Sequence, residues 1–463
     1  MVEPTLGAML PTNWTPLYIE WKPVGSQNVY ELRLHVDNQT NDLVVYSTKT
    51  SYTLDASVWS ALSTHSGGHD VTLTVRGGVV SGSTLVVPPA LGSSGAIHIA
   101  PVAAPGNIVY WTTSNGSSLK GFQIGASTVG TIVTPAKMAD GTQCVGCHTS
   151  SPDGALSFLS RAGSSGGPFD VDARLVDGTA SKTDPMAVSA NAFTNLARTD
   201  QTLPIMSAAH YSTTDAIVIT TLDHPDTSNK TELVWTDLHA STGGTGIIAR
   251  TGDSRAAASP AWSHDGTKIA YTSSISVGDG RTNSAETDIF MVPYNNHAGG
   301  AATGLPGASD ASVHEYYPVF SADDTLIAYD ESPSSANTYN EPTAEVHVIL
   351  ATGGSTIRLA ANAPPSWSGM SSPGVTNSWP RWASEVQVAG NLRYHWLVFS
   401  STRRRVTTAD HPEALSQLYV SAVVVDTSTG KVTDYPAVYV RSQPANEVNH
   451  TPAWDVFKLP PTL

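Results

Sequence analysis

Short runs of alternating apolar and polar residues dominate the chain. Residues 29–36 (VYELRLHV) alternate over eight positions, and residues 71–77 (VTLTVRG) do so again. A period of two puts every second side chain on one face, so each run predicts a half-buried β-strand. Residues 17–21, 43–46 and 51–54 add shorter strands, and 56–62 forms the clearest helical stretch. Strands at this spacing over residues 4–100 predict a β-sandwich. Pro88-Pro89 and Gly92-Ser93-Ser94-Gly95 mark its expected boundary.

Beyond residue 100 one pattern recurs. Its clearest copies are PAWSHDGTKIAY at 260–271 and YPVFSADDTLIAY at 317–329. Shorter copies are SPDGALSF at 151–158, HYSTTDAIVI at 210–219, WPRW at 379–382 (leading into WLVFS at 396–400) and TPAWD at 451–455. Each full copy reads as a strand, a tight Asp-Gly turn and a second strand. Further strands follow at 173–176, 232–235, 288–292, 345–349 and 417–420. Four-stranded units at this period predict propeller blades, and six copies predict six of them. The last copy ends without its second strand. It is expected to pair with residues 107–111 and 119–124, which closes the ring and removes free sheet edges.

The P-x-W-S-x-D-G-x-x-I-A-Y motif closely resembles the TolB-like β-propeller repeat, over residues 101–463. Residues 4–100 resemble a fibronectin type III-like domain, with Trp21 on an early strand, the Tyr52-Thr53-Leu54 strand and a late strand ending in Val75-Arg76-Gly77. The resemblances imply an all-β chain: an N-terminal β-sandwich followed by a six-bladed TolB-like propeller. They imply no particular substrate.

Composition agrees with many strands and turns. The 463 residues include 38 Gly and 30 Pro, and only 14% are charged. The net charge is −15, from 24 basic and 39 acidic residues. An acidic surface repels phosphate backbones, which argues against nucleic acid and accommodates a basic redox partner protein. No apolar run reaches transmembrane length.

The only two cysteines fall in Cys144-Val145-Gly146-Cys147-His148. This C-x-x-C-H box is the attachment pattern of c-type haem (heme c): two thiols add across the two vinyl groups, and the adjacent imidazole reaches the iron. Together with the repeat, it resembles bacterial TolB-like propeller proteins carrying such a box. Other readings of these residues are a local disulfide, a zinc site completed by a distant histidine, or a thioredoxin-like pair. Haem c is attached outside the cytoplasm, so a periplasmic or extracellular location is expected. Met1-Val2-Glu3-Pro4 has no signal-peptide character, and Met1 is expected to replace a removed signal.

Counting from the Asp-Gly turns, His148 aligns with Pro260, and Cys144 and Cys147 are expected on the loop arriving from the previous blade. The cofactor-binding set is then Cys144, Cys147 and His148, with His148 on the metal and Met206 or His450 as sixth ligand. A Met ligand raises the potential and a second His lowers it. The leading reading is an exported monohaem cytochrome that transfers electrons. A haem enzyme with an open iron site is the alternative, as is a non-haem binding protein or lyase whose metal sits among His148, His210, His314 and His450. Asp223, Asp226, Asp279 and Asp324 lie in polar loops that could take calcium, without EF-hand spacing. Arg403-Arg404-Arg405 reads as a solvated charge run.

Overall fold

The computed structural model describes residues 1–138, 141–163, 170–175, 188–197, 202–223, 230–275, 277–278, 281–282, 286–333, 338–403 and 415–459. Met206, Asp223 and Asp324 are among them; Asp226, Asp279, Arg404 and Arg405 lie outside. The described residues are mostly β-strand. None of their helices is long and apolar enough to cross a membrane.

The first hundred residues form a five-stranded sheet in the order Met9–Leu10, Thr84–Ile99, Asp70–Ser81, Val29–Val36, Leu43–Ser47. A second pair joins Tyr18–Glu20 to Ser51–Thr53. The alternation of Val29–Val36 is realised as read: Tyr30, Leu32, Leu34 and Val36 are all buried. The helix Ala56–His65 buries Trp59, whose indole N–H donates to the Trp14 carbonyl at 2.8 Å.

The expected boundary residues do not form a linker. Pro88-Pro89 and Gly92–Gly95 run inside the strand Thr84–Ile99. The prolines sit in a bulge between the pairs Val79↔Val87 and Gly77↔Ala90, where no ladder N–H is needed. The core of these hundred residues is also continuous with that of the later sheets. One buried cluster joins Leu32, Leu73 and Ile97 to Tyr110, Trp396, Val420 and Trp454.

The rest of the chain is a succession of antiparallel sheets. The first holds Thr142–Ser150, Leu156–Gly163 and Asp170–Leu175. The next holds Ile217–Leu222, Glu232–Asp237 and Thr245–Ile247, with Ile205 bridged to Ile219. Three four-stranded paths come after it, opening with Ala256–Trp262, His314–Phe320 and Ser378–Trp382. The last sheet joins both ends: Asn449–Asp455 pairs with Asn107–Thr112, which continues to Ser118–Gln123 and Gly130–Val133. Neighbouring sheets pack through shared apolar clusters, such as Leu156 and Phe158 on Val218, or Ala270 on Ile327. The closing sheet meets both the Ser378–Trp382 and the Thr142–Ser150 strands, so the succession returns on itself as a ring.

The recurring motif has a common physical basis. Ser263 donates to Asp265 at 2.7 Å, and the same carboxylate accepts the Thr267 N–H at 2.9 Å. Ser321 and Asp323 repeat this bond at 2.8 Å, and Ser151 and Asp153 repeat it as well. Gly266 takes φ +73° in its turn, where a side chain would be strained.

A second device recurs at the other end of each first strand. Four of them carry a bulge on an X-Pro pair: Ser259-Pro260, Tyr317-Pro318, Trp379-Pro380 and Thr451-Pro452. Every X there has a positive φ, between 44° and 57°. In the box strand the skipped pair is Gly146-Cys147, between Val145↔Arg161 and His148↔Leu159. The bulge thus lies one residue further from the Asp-Gly turn than in the X-Pro strands.

Candidate functional site

The box is part of the strand Thr142–Ser150 rather than a loop between sheets. The reason is pairing: Cys144 opposes Ala162 and His148 opposes Leu159, with register shifts absorbing the extra residues.

No disulfide joins Cys144 and Cys147, and both are half-buried. Cys144 Sγ lies 3.4 Å from Ser117 Oγ. The Ser117 hydroxyl in turn donates to the Val145 carbonyl and accepts the Trp111 indole N–H at 2.8 Å. Ser117 therefore ties the box to an aromatic cluster on the neighbouring closing sheet. Ser150 donates to Asp455, which pins the same strand to the chain's last strand.

His148 is 7% exposed, and neither ring nitrogen has a hydrogen-bond partner. Burial holds its pKa down to about 3, with the Arg381 charge adding to the effect. The Val109 backbone opposes this slightly without hydrogen-bond geometry. The ring is neutral at pH 7, the form that ligates metal. It lies 5.6 Å from the Phe457 ring. Two thiols, a neutral imidazole with unused nitrogens and an apolar surround fit the donor set of a covalently held haem.

Cys147 lies near enough to Tyr317 and Arg381, on strands that are not neighbours of the box sheet, to act on them electrostatically. The aromatic residues meet there. His450 packs against Trp111 at 4.6 Å, Trp379 at 5.4 Å and Tyr339 at 6.1 Å between ring centroids. Trp379 also contacts Tyr339 and stacks with Tyr317. Burial pushes the His450 pKa down to about 4, and its Nδ1 has no partner.

The other sequence candidates separate. Met206 is half-buried against the cluster that contains Leu156, Phe158 and Val218, distinct from the one that holds the cysteines. His210 does not belong with the other histidines. It pairs with Asp215 at 2.8 Å, stacks on Trp262 and abuts Gly266, at the Asp-Gly end of the strands. His314 starts its strand at the opposite end, opposite Ser332. Among the described residues no three His, Cys, Asp or Glu side chains assemble a metal site.

Of the calcium candidates only Asp223 and Asp324 lie among the described residues, and both are engaged elsewhere. Asp324 clamps the neighbouring turn, accepting the His264 and Asp265 N–H groups at 2.7 and 2.8 Å. Asp223 accepts from Thr231 at 3.0 Å. Arg403 is not solvated: its guanidinium donates to Asn377 at 2.6 Å and to the Ala361 carbonyl at 2.8 Å, and lies over Tyr419. Burial pulls its pKa down to about 10.

Trp111, Ser117, Tyr317, Asp330, Tyr339, Trp379 and Arg381 were not legible as site residues. A signal existed for two of them. The residue before the motif proline is large and aromatic in two copies, at Tyr317 and Trp379, where the others carry Ser or Thr.

No family model matches the chain, and no curated protein matches it in sequence. Solved structures similar to it include TolB-like and other β-propeller proteins. A TolB protein from Agrobacterium tumefaciens is 14% identical, covering 75% of this chain and 98% of its own, with a TM-score of 0.34. Hydrazine synthase from Kuenenia stuttgartiensis is 13% identical, over 77% of this chain and 48% of its own, with a TM-score of 0.43. A β-propeller domain from Myceliophteria thermophila is 9% identical, over 64% and 86%, with a TM-score of 0.29. These identities are too low to speak of chemistry, and the likeness is one of chain course.

Proposed function

We propose that the chain is an exported monohaem c-type cytochrome. In this reading an N-terminal fibronectin type III-like sandwich is fused to a six-bladed propeller, with the haem at the propeller's centre. The observation that carries it is the state of the box: two thiols outside any disulfide, beside a buried neutral imidazole with two unused nitrogens. An uncompensated buried imidazole costs about 1–3 kcal/mol, which ligation offsets.

Bound there, a haem supplies one-electron transfer. The protein's own part is to hold it. Cys144 and Cys147 would hold it covalently, His148 would supply a nitrogen to the iron, and the aromatic cluster would exclude water. His450 is the better-supported sixth ligand, because it packs on Trp111, within the cluster that holds both cysteines. Haem c attachment implies a periplasmic or extracellular location, and the acidic surface suits a basic redox partner.

Oxidised and reduced absorption spectra of the exported protein test this. The reading expects a Soret band and sharp reduced α and β bands from six-coordinate low-spin iron. A five-coordinate high-spin spectrum would favour a haem enzyme with an open site. Absence of haem absorbance would sink both.

A further inference from the structure

Arg381 carries a charge with no carboxylate in contact among the described residues. It follows the Trp379-Pro380 bulge in the strand Ser378–Trp382, and it is half-buried there. Its guanidinium donates to the Pro380 carbonyl at 2.9 Å. Among the described residues no carboxylate oxygen comes within 4.0 Å of it. A guanidinium has five donors, so most of its capacity is unused.

The chain treats its fully buried guanidiniums differently. Arg250 is held by Glu232 at 2.6 Å and Asp253 at 2.7 Å. Arg403 is met by Asn377, Ser401 and the Ala361 carbonyl. The acid nearest in effect to Arg381 is Asp330, which accepts from the Ser378 hydroxyl and the Trp379 N–H. Burial pushes Asp330 up to about 8, so at pH 7 it is mostly neutral and leaves Arg381 unbalanced. A buried charge is costly unless paired.

We propose that Arg381 anchors a carboxylate-binding site at the centre of the ring, with Tyr317, Trp379, Tyr339 and His450 as the wall for the ligand's planar apolar body. The planar fork matches a carboxylate through two parallel hydrogen bonds. The aromatic faces favour a flat, unsaturated body. The carboxylate has two sources: a haem propionate, which rests on the function proposed above, or a free small aromatic acid, which does not.

Calorimetric titration of the full chain with benzoate, against the uncharged isostere benzamide, tests the site in haem-free and haem-loaded protein. The haem-free chain is expected to bind benzoate and not benzamide, and R381Q to weaken benzoate at least tenfold. R381K keeps the charge without the fork and should fall between. If the carboxylate is a propionate, the haem-loaded protein no longer binds benzoate, and R381Q lowers its midpoint potential by removing a positive charge. If it is a free acid, the haem-loaded protein binds benzoate too. Equal binding of benzoate and benzamide, together with an unchanged potential in R381Q, overturns the proposal. A chain that never acquires haem defeats the cytochrome reading, yet the benzoate titration still decides this site. Should R381Q fail to fold, the wild-type comparison of the two probes remains decisive.

Discussion

Tyr317 and Trp379 stand at the same position in successive sheets, one residue before a proline, and their rings stack with centroids 6.3 Å apart. Their φ angles are +55° and +57°. The bulge that imposes this conformation sets the first of its two residues at the ring's centre. The box strand also carries a bulge, on Gly146-Cys147, but without a positive φ at either residue.

The conformation has a cost that can be measured. Thr451 holds φ +44° with a β-branched side chain, and its buried hydroxyl has no partner. Thr451→Gly relieves both and is expected to stabilise the protein by about 1 kcal/mol. Urea unfolding checks the sign; a loss of stability would mean that the Thr451 side chain contributes packing that outweighs the strain.

Arg250 gives a contrasting case. It is 1% exposed, bonded to Glu232 and Asp253, and lies over the Tyr271 ring. Arg250→Met strands two buried carboxylates and is expected to cost about 3–5 kcal/mol. The midpoint of chemical unfolding should fall accordingly, and an unchanged midpoint would show that the network adds nothing.

Two buried carboxyls make stability depend on pH. Burial pushes Glu315 and Asp330 up to about 8. Their folded values lie above the unfolded ones, so each stabilises fully below about pH 4, and this stability is lost as pH rises towards 8. Glu315→Gln should flatten that decline and leave the variant more stable than wild type at pH 8.5. His148 and His450 act with the opposite sign. Their folded values are lowered to about 3 and about 4, so their contribution holds above about 6.5 and is lost as pH falls below it. Melting temperatures of the haem-free chain from pH 4 to 9 resolve both slopes.

The sixth ligand separates two residues. His450→Ala is expected to convert low-spin iron to high-spin, visible in the absorption and magnetic spectra, whereas Met206→Ala should leave the spectrum unchanged. The reverse outcome would place Met206 on the iron despite its packing against a separate apolar cluster.

Much of the fold could be read from local pattern. Residues 29–36 alternate because one face is buried, and the final Asn449–Asp455 strand pairs with Asn107–Thr112 as its truncated motif suggested. The Asp-Gly turns carry their own hydrogen bonds, so their residues announce them. The features that escaped reading depend on partners. A bulge exists only relative to the facing strand, so the box looked like a loop. Pro88 and Pro89 read as breakers because the bulge that hosts them lies opposite Gly78. Arg403 read as solvated because its acceptors, Ala361 and Asn377, are distant in sequence. The C-x-x-C-H motif itself was legible in five residues, while its aromatic surround comes from three separate sheets and the segment that carries Tyr339.

The central claim is that Cys144 and Cys147 hold a haem. Intact mass of the exported protein, measured after denaturation, addresses it directly. One covalently retained haem, lost in the Cys144→Ser, Cys147→Ser double variant, is the expected result. An unmodified polypeptide mass from cells competent in haem attachment would contradict the account.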